Sequence, residues 1–159
     1  MSKIVIYTDG SSKGNPGSGG WAGIIFNEEF VKEIGGQEEY TTNNRMEMTA
    51  VIEALKNIPE NAEVEIHSDS EYLINGITIW IKNWQKNNWQ TKDRREVLNK
   101  DLWEKLLMEV AKRKIEWKKV LGHSGHALNE RCDELATSFA DGKNVLLYKG
   151  SEADYKFHM

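Results

Sequence analysis

The chain has one cysteine and no long apolar run. A single cysteine, predicted on the buried face of a helix, excludes an internal disulfide framework and a thiolate metal site, so oxygen would have to hold any metal. No signal-type apolar segment precedes the first predicted strand, and we expect a cytoplasmic protein with no membrane contact. With 159 residues and 39% apolar content, the chain supports one well-buried domain.

The charge of the chain is unevenly distributed. A net charge of −4 argues against a polyanionic partner, but six basic and two acidic residues between Lys82 and Lys100 give a local balance of +4. Trp80, Trp84 and Trp89 lie in or beside this stretch, and basic residues with aromatic ones are typical of nucleic-acid binding. The alternative is a solvated helix face, with Trp80 and Trp84 packed in the core; the role of Trp89 is undecided.

Glu47 lies on the apolar side of a predicted helix. Apolar residues follow it at helical spacing, from Ala50 to Ile58, and at about 100° per residue Glu47 falls in the same stripe. A buried, ionised carboxylate is costly unless it is paired or bound to a metal. The alternative is a capping box, in which Asn44 begins the helix and Glu47 closes the cap.

Two aspartates each follow an apolar strand, and a third lies on the last predicted helix. Asp9 ends the run 4–8 and Asp69 ends the run 64–68, and ligand sites in open α/β sheets lie at the carboxyl ends of strands. Asp133 flanks the buried stripe of its helix. The alternatives are a helix N-cap for Asp69 and a solvated charge for Asp133. Together with Glu47, these residues predict one oxygen-ligated site for a hard cation such as Mg²⁺ or Mn²⁺.

Sequence periodicity predicts five strands and four helices. The strands are expected at 3–8, 21–26, 30–36, 64–69 and 115–120, and the helices at 44–57, 70–87 with a break near Gly76, 100–112 and 127–140. This order indicates an α/β fold, a mixed sheet with helices on both faces. The glycine-rich link from Gly10 to Gly20 lacks the context of a P-loop and predicts a hairpin whose backbone can closely approach a ligand.

Six motifs, in order, resemble those of the bacterial ribonuclease HI family. They are Tyr7-Thr8-Asp9-Gly10-Ser11, Asn15-Pro16-Gly17, Thr42-Asn43-Asn44-Arg45-Met46-Glu47, Ser68-Asp69-Ser70, Gly122-His123-Ser124-Gly125-His126 and Asn129-Glu130-Arg131-Cys132-Asp133-Glu134-Leu135-Ala136. Several motifs in matching order are more specific than any one of them. The resemblance implies a ribonuclease H-like fold with a five-stranded mixed sheet, a catalytic domain over residues 1–141 and a tail over 142–159 whose role is unknown.

The same resemblance implies the endonucleolytic hydrolysis of the RNA strand of RNA·DNA hybrids, leaving 5′-phosphate and 3′-hydroxyl ends. In that family the carboxylates matching Asp9, Glu47, Asp69 and Asp133 hold two divalent ions. The expected ion is Mg²⁺, and Mn²⁺ can substitute for it. His123 matches a histidine that assists proton transfer or product release. We expect the enzyme to act as a monomer.

Substrate contacts are also implied by the resemblance. Asn15, Asn43 and Asn44 match residues that read the RNA strand, Thr42 and Asn99 match residues that hold a phosphate of the DNA strand, and Trp80, Lys92, Arg94 and Arg95 match the substrate-binding protrusion. The sequence departs from the family pattern at Glu71, where many relatives carry glutamine, and at Tyr40, where some carry a phosphate-contacting arginine.

Two other functions stay open at this point. One is a nucleic-acid-binding module that keeps the fold without turnover. The other is a different nuclease on the same fold, such as a transposase-like or junction-cutting enzyme, which would share the acidic cluster. Comparing the cleavage of DNA junctions with that of hybrids separates these functions.

Overall fold

The computed structural model describes residues 3–121 and 126–157. Its centre is a mixed sheet of six strands in the order β5-β4-β1-β2-β3-β6. The strands are β1 Ile4–Ser12, β2 Gly17–Asn27, β3 Phe30–Thr41, β4 Glu63–Ser68, β5 Lys114–Lys119 and β6 Lys149–Ser151. Strands β1, β2, β3 and β6 pair antiparallel, whereas β4 and β5 run parallel to β1. The predicted α/β class and mixed sheet are therefore confirmed.

Helices cover both faces of this sheet. In the described ranges they are α1 Asn43–Lys56, α2 Glu71–Asn75, α3 Ile81–Lys86, α4 Lys100–Val110 and α5 Ala127–Ala140. Neighbouring residues of β2 point to opposite faces: Ile25 packs in the core that α1 and α4 cover, and Ile24 packs against Cys132 of α5. None of the helices within the described ranges is both long and apolar enough to cross a membrane.

The predicted break near Gly76 is a π-helical turn. It spans Gly76–Trp80 and joins α2 to α3. A Cβ at Gly76 would lie 2.6 Å from Cζ2 of Trp103, a fully buried residue of α4. The indole ring therefore fills the space beside the turn, and only a residue without a side chain fits there.

Among the described residues the sheet has six strands, one more than the five expected. The sixth strand, β6, lies in the C-terminal segment and pairs with β3, with Val31 opposite Gly150. A strand of three residues is too short to show an alternating pattern, which explains why periodicity missed it.

Strands β1 and β2 extend through most of the glycine-rich link. Their ladder continues from Asp9 opposite Ala22 to Ser12 opposite Gly19, so only residues 13–16 form the turn. A close approach of this backbone to a ligand stays a prediction, whereas its close approach to two helices is observed. A Cβ at Gly10 would lie 2.5 Å from the carbonyl carbon of Met46 in α1, and one at Gly20 would lie 2.6 Å from a backbone nitrogen of α5.

Candidate active site

Three acidic side chains from separate parts of the chain meet at one edge of the sheet. Asp9 lies in β1, Glu47 in α1, and Asp69 directly after β4. One carboxylate oxygen from each lies within 4.8 Å of the others. The parallel register pairs Tyr7 with His67, so the two aspartates occupy corresponding positions two residues further along. Asp9 does not end β1 as expected, because pairing with β2 continues the strand to Ser12. Asp9 and Asp69 come together because both lie just beyond the last paired residues of β1 and β4.

Glu47 reaches this edge because α1 lies directly on β1. The missing side chain of Gly10 makes room for the helix backbone, and the Gly10 backbone N–H donates to Oδ1 of Asp9 at 2.9 Å. The carboxyl groups of Asp9 and Glu47 lie close enough to shift each other's pKa. Both residues are only 4% exposed, so Glu47 points inward, as its place on the apolar stripe predicted.

The buried carboxylates hold their protons more tightly than usual. Burial raises the pKa of Asp9 to about 7, and repulsion by Asp69 and Asp133 adds to this effect. Burial and the charge of Asp9 raise the pKa of Glu47 well above its usual range. Oε2 of Glu47 is buried without a hydrogen-bond donor among the described residues. A bound cation would satisfy this oxygen and remove the repulsion, so the donor set fits a hard divalent metal ion.

Neither capping alternative describes these acidic residues. The N-cap of α1 is Thr42, whose hydroxyl accepts from the backbone N–H three residues on at 3.2 Å, so Asn44 and Glu47 form no capping box there. The N-cap of α2 is Ser70, not Asp69, with an equivalent bond of 3.1 Å. The carboxylates of Glu47 and Asp69 are thus not used as N-caps of these helices.

The expected catalytic set has two other residues, Asp133 and His123, besides this group of three. Asp133 lies on α5 with an exposed side chain, outside the group of three but near enough for its charge to raise the pKa of Asp9. His123 lies outside the described residues. The buried stripe predicted for α5 is observed at Cys132 and Leu135.

The asparagines expected to read RNA adjoin the acidic cluster. The backbone N–H of Asn43 donates to Oδ1 of Asn15 at 3.0 Å, which joins the turn before β2 to the start of α1. Asn43 is exposed and Asn44 is half-buried. Glu47 lies one helical turn further along α1, on the same side of the helix as Asn43.

Arg45 joins the two residues expected to hold a DNA phosphate. Its guanidinium pairs with both carboxylate oxygens of Asp101, at 2.7 and 2.9 Å, and donates to Oδ1 of Asn99 at 3.2 Å. Asn99 has a left-handed backbone conformation with a φ of 63°, and its Nδ2 donates to the hydroxyl of Tyr72 at 3.0 Å. Arg45 follows Thr42 by three residues, so one side chain links the starts of α1 and α4. Sequence reasoning did not anticipate this link, although Arg45 lies inside one of the six motifs.

The tryptophans of the basic segment are mostly packed against the fold. Trp84 and Trp89 are half-buried against the main core, with their ring centroids 6.3 Å apart. The packing alternative therefore holds for Trp84, and Trp89 also packs. Trp80 remains 36% exposed. The expected binding residues Lys92, Arg94 and Arg95 are all exposed, in the loop between α3 and α4.

Both departures from the family pattern lie on the surface. Glu71 forms an ion pair with Lys119 at the end of β5, and this contact lowers the pKa of the Glu71 carboxyl. The pair offsets the negative charge that Glu71 adds beside Asp69. Tyr40 is 77% exposed near the end of β3 and leaves no cation at its position.

The chain matches known proteins over most of its length. A family model described as RNase H matches residues 1–141. A Ribonuclease H of Pseudoalteromonas atlantica is 48% identical over 150 residues, which cover 94% of this chain and 98% of that protein. A Ribonuclease HI of Rickettsia prowazekii is 51% identical over 135 residues, with 85% and 89% covered.

Solved structures show the same fold. The crystal structure of LC9-RNase H1, a type 1 RNase H with the type 2 active-site motif, matches with a TM-score of 0.79 and 29% identity, covering 91% of this chain and 75% of that one. LC11-RNase H1 in complex with an RNA/DNA hybrid matches with a TM-score of 0.66 and 25% identity, with 88% and 98% covered. The match to the family model and the close relatives together show that this chain belongs to the ribonuclease H family.

Proposed function

We propose that this chain cleaves the RNA strand of RNA·DNA hybrids endonucleolytically, with two divalent cations held by Asp9, Glu47, Asp69 and Asp133. The observation that carries the proposal is the meeting of the first three carboxylates, two of them buried, in a chain of this family. The enzyme is a phosphodiester hydrolase by family membership. LC11-RNase H1, a structural relative, was solved with an RNA/DNA hybrid, and this supports the choice of substrate.

The carboxylates would act by holding the cations in fixed positions. Two divalent ions held by these carboxylates would supply an activated water and charge neutralisation at the phosphate and at the leaving 3′-oxygen. Asp9 and Glu47 are buried on rigid elements, so their oxygens need little reorganisation to bind. Oxygen ligands favour Mg²⁺, with Mn²⁺ as a substitute. The proposed products carry 5′-phosphate and 3′-hydroxyl ends.

His123 is the proposed proton carrier of this site. An imidazole changes its protonation near neutral pH and can serve proton transfer or product release. The residue lies in a Gly-His-Ser-Gly segment just before α5, the helix that carries Asp133.

Strand discrimination requires contacts to the 2′-hydroxyl groups that distinguish RNA from DNA. We assign this role to Asn15, Asn43 and Asn44, and the joining of Asn15 to Asn43 beside the carboxylates supports the assignment. Thr42 and Asn99 would hold a phosphate of the DNA strand, supported by the Arg45 link between the helices that they precede. Trp80, Lys92, Arg94 and Arg95 would form a further binding surface.

The extent of the catalytic domain, residues 1–141, is part of the same proposal. The family model ends at that residue, and the four carboxylates all precede it. A cytoplasmic location and a monomeric state stay predictions from the sequence.

Replacing one buried carboxylate tests the proposed site. We expect Glu47→Gln to lower cleavage of a hybrid by more than about a hundredfold, since losing one charge-stabilising group in an active site costs roughly 10²–10³ in rate. Hybrid binding should change little. Glu53→Gln is the matched control because Glu53 is on the same helix but its carboxylate pairs with Lys56 outside the cluster. Normal cleavage by Glu47→Gln would contradict the site.

A second comparison separates the rival functions. The wild-type chain is given a hybrid and a four-way DNA junction under the same conditions with Mg²⁺. The proposal predicts cleavage of the hybrid only. Cleavage of the junction would favour a different nuclease on this fold, and binding of the hybrid without any cleavage would favour a binding module.

A further inference from the structure

A buried ion pair joins β3 to α5. Glu33 is only 2% exposed, and its carboxylate accepts from Nε of Arg131 at 2.8 Å and from Nη2 at 3.1 Å. Arg131 contributes two parallel donors, and Glu33 has the matching two acceptors. This geometry fixes both the distance and the relative orientation of the two side chains.

Residues of the C-terminal segment donate further hydrogen bonds to this ion pair. The hydroxyl of Tyr155 donates to Oε2 of Glu33 at 2.7 Å, and the backbone N–H of Tyr148 donates to Oε1 at 2.9 Å. The guanidinium of Arg131 lies 4.1 Å from the ring centroid of Phe157. We call these five residues the tail clamp. Both oxygens of Glu33 are satisfied twice, and the hydrogen bonds together with the charge of Arg131 lower the pKa of Glu33 despite its burial.

The tail clamp contacts α5 at Arg131, near Asp133. Asp133 follows Arg131 by two residues, which is about 200° around a helix, so the clamp holds the side of α5 roughly opposite to Asp133. Between them, Sγ of Cys132 donates to the backbone carbonyl of Tyr7 at 3.3 Å, two residues before Asp9 in β1. Rotation of α5 about its axis would move Asp133 relative to Asp9.

We propose that the tail clamp positions Asp133 as a metal ligand by fixing the rotation of α5. Arg131 and Tyr155 are then positioning residues for the cation site, and the segment after residue 141 serves the active site although it carries none of its ligands. The inference rests on the proposed function of Asp133. Its physical basis is that directional bonds of a buried ion pair select one arrangement, whereas apolar contacts alone tolerate several.

Two full-length variants distinguish positioning from general stabilisation. Glu33→Met/Arg131→Met replaces the ion pair by apolar side chains of similar length, an exchange that often preserves stability. Tyr155→Phe removes a single hydroxyl. Glu134→Gln is the control because Glu134 is the exposed partner of Arg131 on the same helix, at 3.0 Å.

The measurement is Mg²⁺ binding by calorimetry without substrate, with the Mg²⁺ concentration for half-maximal hybrid cleavage as a second readout. We expect the double variant to bind Mg²⁺ roughly tenfold more weakly, the low end of the effect of losing an outer partner of a metal ligand, and Tyr155→Phe about threefold more weakly. Saturating Mg²⁺ should restore the rate, and Glu134→Gln should match the wild type.

Wild-type Mg²⁺ affinity in Tyr155→Phe, with only a lower melting temperature, would overturn the inference. This variant decides the question even if the double variant fails to fold. A wild-type chain that cleaves hybrids while the clamp variants keep their Mg²⁺ affinity contradicts the clamp alone. A wild-type chain that does not cleave hybrids contradicts the proposed function instead.

Discussion

Asp9 and Glu47 are buried acids, and their protonation affects the stability of the fold. The pKa of Asp9 rises from its ordinary value of 3.8 to about 7 in the folded chain, chiefly through burial. Between these pH values the folded chain holds a proton that the unfolded chain has lost. The free energy of unfolding therefore falls as the pH rises through this range, as long as no metal is bound.

We predict that Asp9→Asn stabilises the metal-free protein at pH 8 and has little effect at pH 4. The amide resembles the protonated acid, so it removes the cost of ionising a buried group. The gain should be on the order of 1–4 kcal/mol, because one pKa unit corresponds to about 1.4 kcal/mol. Thermal unfolding in EDTA at both pH values measures it.

Asp101→Asn is the control for this comparison. Asp101 is exposed and its pKa is lowered by Arg45, so its stabilising contribution is present at high pH and is lost as the pH falls. Its replacement should not stabilise the protein at pH 8. A lower melting temperature for Asp9→Asn at pH 8 would contradict the raised pKa of Asp9.

Metal binding should depend on pH for the same reason. A cation that binds Asp9 and Glu47 must displace their protons, so Mg²⁺ affinity should increase between pH 6 and 8, by up to about tenfold per pH unit for each proton displaced. Calorimetry in buffers of different ionisation enthalpy counts the released protons. Constant affinity with no proton release would mean that the acids are already ionised in the free protein.

Among individual residues, the sequence predicted the members of the acidic cluster better than it predicted the tail clamp. Asp9 and Asp69 each come directly after an apolar run, and Glu47 interrupts an apolar stripe, so each breaks a local pattern that can be recognised. Glu33 breaks one too, because it shares a strand face with Val31. Its partners lie about one hundred residues away in sequence, and no local pattern identifies such partners.

At the scale of elements, glycines decide how closely the helices approach the sheet. The glycine-rich link suggested a loop because glycine weakens strand propensity, but the ladder between β1 and β2 satisfies its backbone groups. Gly10 and Gly20 instead admit α1 and α5. The order of elements and the break near Gly76 could be read from periodicity. The three-residue β6 could not, since it depends on β3 as its partner.

We predict that Gly20→Ala destabilises the fold by about 1–3 kcal/mol, the usual cost of overpacking a tight contact. Its Cβ would meet the backbone of α5 at Ala136 and Ala140, which cannot move without displacing the helix. Chemical denaturation measures the change.

Gly23→Ala in the same strand is the matched control. Its Cβ would lie 3.3 Å from Cγ1 of Ile34, a side-chain atom that can adjust. The loss of stability should therefore be clearly smaller. Equal effects of the two substitutions would show that the close packing of α5 at Gly20 is not what sets its cost.

At the scale of the whole molecule, the parts expected to bind the hybrid come from distant segments. The segments are the turn at residues 13–16, the start of α1, the π-helical turn, the loop between α3 and α4, and the start of α4. The net charge of −4 gives no sign of such binding, although Lys92, Arg94 and Arg95 are exposed in the loop between α3 and α4. The motif order anticipated which segments take part. The Arg45 link that joins two of them depends on tertiary packing.

We predict that Arg94→Ala/Arg95→Ala weakens hybrid binding more at low salt than at high salt. Exposed cations act by releasing counterions from phosphates, and each lost contact lowers the salt slope by about 1. Binding titrations over a range of salt concentrations measure the slope. Lys143→Ala/Lys149→Ala removes two exposed cations of the C-terminal segment and should leave the slope unchanged. A loss of binding by the arginine variant that is independent of salt would mean that these residues act through folding.

Cleavage of one end-labelled RNA tests the proposed function most directly. The RNA is presented to the wild-type chain as a hybrid with DNA, as duplex RNA and as a single strand. Each is incubated with Mg²⁺ and with EDTA. We expect internal cuts in the hybrid only, and only with Mg²⁺. Cleavage that persists in EDTA would contradict the metal site. Equal cleavage of duplex RNA would contradict the proposed discrimination between the RNA and the DNA strand.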